Sequence, residues 1–436
     1  MKRLFLFFSV LALLVSLCAC KDTEPRNGIR SVEDSETTTE PPGAPETQEV
    51  FNNGGRYVQC GGDVYYWEYT ADSVEPTGIW GEFAEVPGVS RPLARLAADG
   101  KTQRLFTEDG YGGIWIHGGR LYLTRKAEGG YGQIFSVSME AGDTSVAAKN
   151  RRALGPGRIF ALDEARGLLI ATVEKFKGHL CVINMETGQR EELPPANVQP
   201  LLYDQASATL YYRDNSAEGP GTVKLCAVSV TTGAVRDIAL VDAGQYGEDL
   251  EVADWIGIDL GSVRLEGGKL YMYLAGYGGN AHVYYAGAAL AVDLAGDGVT
   301  ENKNPGESDW YGVNRPFTSD SAGPFEGAAG DTWSWTICPG QGKPPLMVLS
   351  EQDLAGLGLP AGPFFGEEDF AALRDVEYVD GALFFLIARG PRNEAEDIGW
   401  REAYDLASMR AYHKDIATGE IAQLYSIGAQ AAQAEG

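Results

Sequence analysis

The chain has 436 residues, 44% hydrophobic and 10% aromatic, with 56 glycines, so it holds enough apolar material for a sizeable core and too much to be a disordered chain. It carries 35 Lys and Arg against 61 Asp and Glu, a net charge of −26. That balance argues against nucleic acid and against charge-driven binding to anionic lipid; it admits cationic partners or divalent metal, with plain solubility as the simpler reading.

Met1-Lys2-Arg3 is a charged start, and Leu4 to Leu17 is an apolar run too short and wrongly flanked to span a bilayer stably. It ends in Leu17-Cys18-Ala19-Cys20, which resembles the lipobox of bacterial lipoproteins. The resemblance implies a signal peptide over 1–19 and membrane attachment through a lipidated Cys20, with the protein exported and held at the outer face of the cell membrane or in the periplasm. An ordinary signal peptide cut nearby is the alternative. Residues 20–48 are polar and rich in Pro, Thr and Glu, which predicts a disordered tether.

From residue 49 onward a hairpin keeps returning. Its clearest copies are Cys181 to Leu193, Cys226 to Ile238 and Ala411 to Ser426, with Thr187-Gly188, Thr232-Gly233 and Thr418-Gly419 at the turn. A second landmark, a turn with a small residue before an aromatic or aliphatic strand, begins at Gly62, Gly119, Gly167, Ala208, Gly268, Gly330 and Gly381. It alternates with later turns at Gly100, Gly142, Gly188, Gly233, Gly298, a degraded copy near Gly356, and Gly419. Each unit reads as strand, turn, strand, loop, strand, Gly turn, strand. The prediction is an all-β, seven-bladed β-propeller of four-stranded antiparallel blades over 49–436, monomeric, after a lipoprotein signal and disordered linker. The alternation of Leu121/Leu123 and Val228/Val230 predicts half-buried strands. Helical periodicity is absent apart from one turn over Ser350 to Leu357. Glu49 to Phe51 are free to add to the last blade.

The run from Leu210 to Val235, with Leu210-Tyr211-Tyr212, Leu225-Cys226 and Thr232-Gly233, is similar to blades of TolB and YWTD-type propellers. With the leader, the whole resembles bacterial surface lipoproteins that carry such propellers. The resemblance implies a fold that binds proteins, peptides or glycans and in some members is an enzyme.

Three long insertions, residues 70–91, 301–326 and 387–407, are predicted on one face. The first and third would be loops between second and third strands of blades 1 and 7, neighbours at ring closure. They hold the candidate ligand-binding residues Trp80, Glu82, Asp309, Trp310, Tyr311, Arg392, Trp400 and Tyr404. Aromatic faces rimmed by carboxylates and Arg suit a sugar ring or an extended peptide; pinning of the loops to the rim is the competing explanation. Asp293, Asp297 and Glu301 resemble part of a calcium loop, although Ala295 and Asn304 stand where oxygen ligands are expected, and a plain turn is the favoured reading.

No catalytic motif emerges. His117, His179, His282 and His413 lack metal-ligand spacing, and neither a GxSxG elbow nor a phosphate loop is present. Cys60, Cys181, Cys226 and Cys338 are read as small buried residues rather than a disulfide framework. No cofactor is implied beyond calcium as a candidate ion. The primary functional expectation is a membrane-anchored binding protein for a glycan, peptide or envelope protein; the alternatives are an extracytoplasmic carbohydrate-active enzyme using loop carboxylates, and an envelope assembly scaffold.

Overall fold

The repeated Thr-Gly turn is built by side chains that stand in for backbone. Asn184 Oδ1 accepts from the Thr187 amide at 2.8 Å and its hydroxyl at 3.0 Å, and the Thr187 hydroxyl accepts from Gln189 N at 3.1 Å. Asp415 and Thr418 repeat the arrangement at 2.7 and 3.0 Å, with Glu420 N on the Thr418 hydroxyl at 3.3 Å. Ser229 and Thr232 make a weaker copy. Gly188, Gly233 and Gly419 each donate back to the first turn residue while holding φ of 71°, 69° and 73°, a conformation in which a Cβ is costly. The residue four before each glycine is therefore part of the signature.

A computed structural model describes residues 49–74, 77–79, 89–126, 132–139, 150–173, 178–216, 219, 221–246, 250, 253, 255–278, 283–296, 298–301, 323–326, 333–337, 346–358, 369–395, 399–403 and 405–427. Their strands form seven antiparallel sheets in chain order, which are the blades of the propeller. Blade 1 contains Tyr57–Cys60, Asp63–Trp67, Arg91–Leu96 and Thr102–Glu108; blade 2 contains Gly110–His117, Arg120–Lys126, Gly132–Ser138 and Arg152–Pro156. Blade 3 contains Arg158–Asp163, Leu168–Val173, His179–Asn184 and Arg190–Glu192; blade 4 contains Val198–Asp204, Thr209–Asp214, Thr222–Ser229 and Val235–Asp242. Blade 5 contains Trp255–Glu266, Lys269–Gly278, Val283–Asp293 and Val299–Glu301, and blade 7 contains Asp369–Val379, Ala382–Ala395, Arg410–Asp415 and Ile421–Ser426. The first strands of blades 1 and 2, of blades 4 and 5, and of blades 7 and 1 lie against one another, which puts them nearest the axis. Two faces follow. The turn face bears the hairpin turns between first and second and between third and fourth strands; the insertion face bears the remaining connections.

Among the described residues, apolar seams hold five neighbouring pairs of blades together. Val58, Trp67 and Leu93 of blade 1 meet Ile114, Leu121 and Phe135 of blade 2. Tyr122 and Ile134 meet Leu169 and Cys181, Leu180 and Val182 meet Leu210 and Val228, and Tyr211 and Leu225 meet Ile256 and Met272. Blade 7 closes on blade 1 through Phe384, Leu386 and Tyr425 against Tyr57 and Tyr66. The rings stack there, Tyr57 on Phe384 at 4.6 Å between centroids.

This packing corrects the expectation of half-buried strands. Leu121, Tyr122 and Leu123 are all buried, as are Ala227, Val228 and Val230, because alternate residues face the preceding and the following blade and neither face meets water. Cys181 and Cys226 sit at equivalent register positions, opposite Ala171 and Tyr212, and both face the preceding blade. They and Cys60 are buried, as expected; Cys338 lies outside the described residues.

Blade 6 is described only in part. Among the described residues it has Gly323–Glu326, Trp333–Ile337 and Leu346–Leu349. In place of a Gly turn near Gly356, Glu351–Gly356 is a short helix, which Ser350 caps by accepting from Asp353 N. Ser350 is an N-cap residue followed three positions later by a carboxylate. The N-terminal residues also depart from expectation. Val50–Phe51 pairs with the inner strand of blade 1, Val50 opposite Cys60 and Phe51 opposite Gln59, rather than with blade 7.

Candidate ligand-binding face at the seam of the first and last blades

The second strand of blade 7, Ala382–Ala395, is longer than its blade. Its lower part pairs with Asp369–Val379 and Arg410–Asp415. Its outer part, Arg392 to Ala395, runs past them onto the insertion face and pairs with Gly399–Ala403: Arg392 lies opposite Glu402, and Glu394 opposite Trp400. Blade 1 supplies the third strand. Thr77–Ile79 pairs with the other edge of Gly399–Ala403, Ile79 opposite Arg401 and Thr77 opposite Ala403. Segments expected as two separate loops thus form one antiparallel ribbon over the closure of the ring.

At the root of the ribbon lie charged and aromatic groups that sequence reasoning missed. Arg91, 3% exposed, donates from Nε and Nη2 to Gly110 O at 3.0 and 2.7 Å. Its guanidinium stands 5.6 Å from the ring centroids of both Trp67 and Tyr69, a cation–π geometry that lowers the cost of burying the charge. Glu68, 2% exposed, takes Arg104 Nε at 2.7 Å. Asp375 on the inner strand of blade 7 accepts from Tyr69 Oη at 3.1 Å and pairs with Arg56 at 2.9 Å. Arg56 in turn lies over the Tyr69 ring at 4.8 Å. Asp375 holds φ of 55° at a break in register between Arg374 and Glu377, a conformation that Asp tolerates better than most side chains. The one hint in the sequence is charge at positions where strand packing calls for apolar residues.

Of the predicted ligand-binding residues, Arg392 and Trp400 are brought together on the ribbon, two register steps apart. Trp80, Glu82, Asp309, Trp310, Tyr311 and Tyr404 lie outside the described residues, as do Cys20 and Asp297. Asp293 ends the third strand of blade 5, where its Oδ1 accepts from Ala295 N at 2.9 Å. Glu301 stands opposite Leu290, three register positions along the ladder from Asp293. Among the described residues no group of three or more His, Cys, Asp or Glu is arranged to hold a metal ion.

His413 packs beside Phe384, ring centroids 5.2 Å apart, and burial lowers its pKa despite the nearby carboxylates of Asp415 and Glu420. His117 closes an inner strand opposite Arg120, and His179 opens a strand of blade 3 with its side chain exposed. His282 lies outside the described residues. Among the described residues no helix is long and apolar enough to cross a membrane.

No family model matches the chain, and no curated protein matches it. Solved structures do resemble it. TolB from Acinetobacter baumannii is 9% identical over 63% of this chain and 60% of its own, with a TM-score of 0.32. A puromycin-hydrolyzing peptidase from Mycobacterium tuberculosis is 11% identical over 87% of this chain and 53% of its own, with a TM-score of 0.43. The β-propeller domain of the Trilobed protease from Pyrococcus furiosus is 9% identical over 87% and 98%, with a TM-score of 0.37. The chain thus spans 60% of the TolB chain and 53% of the peptidase chain. At these identities and scores the likenesses add nothing to what the seven sheets show by themselves.

Proposed function

We propose that the protein is a membrane-anchored extracytoplasmic binding protein. Cys20 tethers it, and the insertion face at the seam of blades 7 and 1 takes a glycan, a peptide or an envelope protein. The observation that carries this reading is the pairing of Ile79 with Arg401. It joins two insertions 322 residues apart (401 − 79) into one ribbon, where a propeller needs only two short turns. Trp80 and Trp400 are the sequence neighbours of that pair, and Arg392, Glu394 and Glu402 stand at register positions of the ribbon. A backbone-paired ribbon fixes such groups at less entropic cost than two free loops, which favours recognition over mere solvation.

The test uses residues 49–436 on an array of glycans and peptidoglycan fragments. Beside it runs a Trp80→Ala, Trp310→Ala, Trp400→Ala triple variant with intact folding. Binding by the parent and loss in the variant are expected. Binding by neither removes the glycan reading and directs the search to envelope proteins and peptides.

A further inference from the structure

Residues 50–56 enter the ring along its axis and touch four blades. Val50–Phe51 extends blade 1 on its inner edge. Gly54 N donates to Ile114 O at 2.8 Å and Gly55 O accepts from Ile114 N at 2.9 Å, as in a ladder with the inner strand of blade 2. Asn53 continues that ladder with its side chain: Nδ2 donates to Ile116 O at 2.9 Å and Oδ1 accepts from Ile116 N at 2.7 Å. The same Nδ2 reaches Glu164 of blade 3 at 3.1 Å. Glu377 of blade 7 then takes the other side. Its carboxylate accepts from Asn52 Nδ2 at 2.8 Å, Arg56 N at 3.0 Å and Tyr57 N at 3.0 Å.

The fit is close. A Cβ on Gly54, which has φ of 94°, would meet the Trp115 ring at 2.4 Å, and a Cβ on Gly113 would meet Gly54 O at 1.9 Å. Packing this tight is a property of a built contact rather than of a segment lying loosely in a channel.

We infer that residues 50–56 are a strap that closes the ring and holds the ribbon on the opposite face in place. Two routes connect them. Asp375 bonds both Arg56 of the strap and Tyr69, which roots the blade 1 insertion. Asp375 and Glu377 also lie on the strand paired with Ala382–Ala395, whose outer end is the first strand of the ribbon. Release of the strap removes two donors, Asn52 Nδ2 and Arg56 N, from Glu377 and one cation from Asp375. Both roots of the ribbon then loosen together. Val50 lies opposite Cys60, beside the turn at Gly61-Gly62, so the strap enters from the turn face. Force on the N-terminal side of the strap therefore acts on the ribbon through the ring. This inference stands independently of what the ribbon binds.

The experiment is native-state hydrogen exchange on the full-length chain, read on peptides covering 50–56, 399–403 and, as reference, 209–229 of blade 4. In Glu377→Gln, exchange in the strap and the ribbon is expected to rise together by about tenfold while blade 4 is unchanged. Gly54→Ala is expected to give the same pattern. A ribbon that keeps its protection overturns the inference, as does an equal rise in every blade. Should neither variant fold, the parent in low denaturant decides: strap and ribbon amides opening with one denaturant dependence support the inference, and a ribbon opening independently of the strap overturns it.

Discussion

Arg56 and Asp375 form an ion pair, 2.9 Å between Nη1 and Oδ2, across the seam where blade 7 closes on blade 1. Both side chains are partly buried, at 23% and 13% exposure. Asp375→Ala removes the carboxylate that pairs with the partly buried Arg56 guanidinium and accepts from Tyr69 Oη, and puts alanine at positive φ. The expected loss is about 2–4 kcal/mol in denaturant unfolding of residues 49–436. Asp375→Asn keeps an acceptor and a tolerated φ and is expected to lose less.

Gly113 and Gly221 make a matched pair of tests. A Cβ at Gly113 would strike backbone at Gly54 O, whereas a Cβ at Gly221 meets nothing within 4 Å. Gly113→Ala is expected to cost about 3 kcal/mol, and Gly221→Ala to stay within about 0.5 kcal/mol of the parent, by thermal or denaturant unfolding.

His413 sets a pH dependence. Burial lowers its pKa, so the folded protein holds it neutral and the unfolded chain takes up a proton first. Its contribution to stability is present above the ordinary histidine value, about 6.5, and is lost as pH falls below it. The melting temperature should drop between pH 7.5 and 5.5, and His413→Phe, which keeps the contact with Phe384, should flatten that drop.

The three described thiols should be silent. Burial pushes Cys181 and Cys226 up to about 11, and raises Cys60 as well. Alkylation near pH 8 followed by peptide mapping is expected to label none of the three in the native protein and all of them in guanidinium.

Asp293 serves as a turn residue in the geometry of blade 5, its Oδ1 on Ala295 N. Asp293→Ala is expected to cost about 0.5–1 kcal/mol whether or not calcium is added. A rise in melting temperature with millimolar calcium that disappears in Asp293→Ala would instead establish an ion site.

What the sequence made legible was what repeats. Turns at Gly62, Gly119, Gly167, Gly268 and Gly381 all hold positive φ, and Ala208 holds 52° in the same place. A turn imposes its residue locally, so it can be read locally. The adjoining insertions of blades 1 and 7 were also legible, from the count of seven alone. The strap was not. Its Asn52-Asn53-Gly54-Gly55 reads as an ordinary loop, because its partners Ile114, Ile116, Glu164 and Glu377 are brought near only by the closed ring. Thr77–Ile79 escaped for a related reason: three residues with a glycine at the centre have no strand periodicity, and their order comes from Gly399–Ala403. Burial on both faces erased the alternation expected at Leu121 to Leu123, since a blade between two neighbours has no wet side.

The pairing of Ile79 with Arg401 also constrains how this chain can diverge. Insertions in most propellers can lengthen or shorten one at a time, because each ends in solvent. Here the middle strand of the ribbon, Gly399–Ala403, borrows one edge from its own blade and the other from the opposite end of the chain. A deletion that removes Thr77–Ile79 leaves that edge bare, and one that removes Gly399–Ala403 leaves Thr77–Ile79 with nothing to pair. Gains and losses in the two segments are therefore expected to travel together among homologues, and a recombination point between blade 1 and blade 7 would have to carry both or neither.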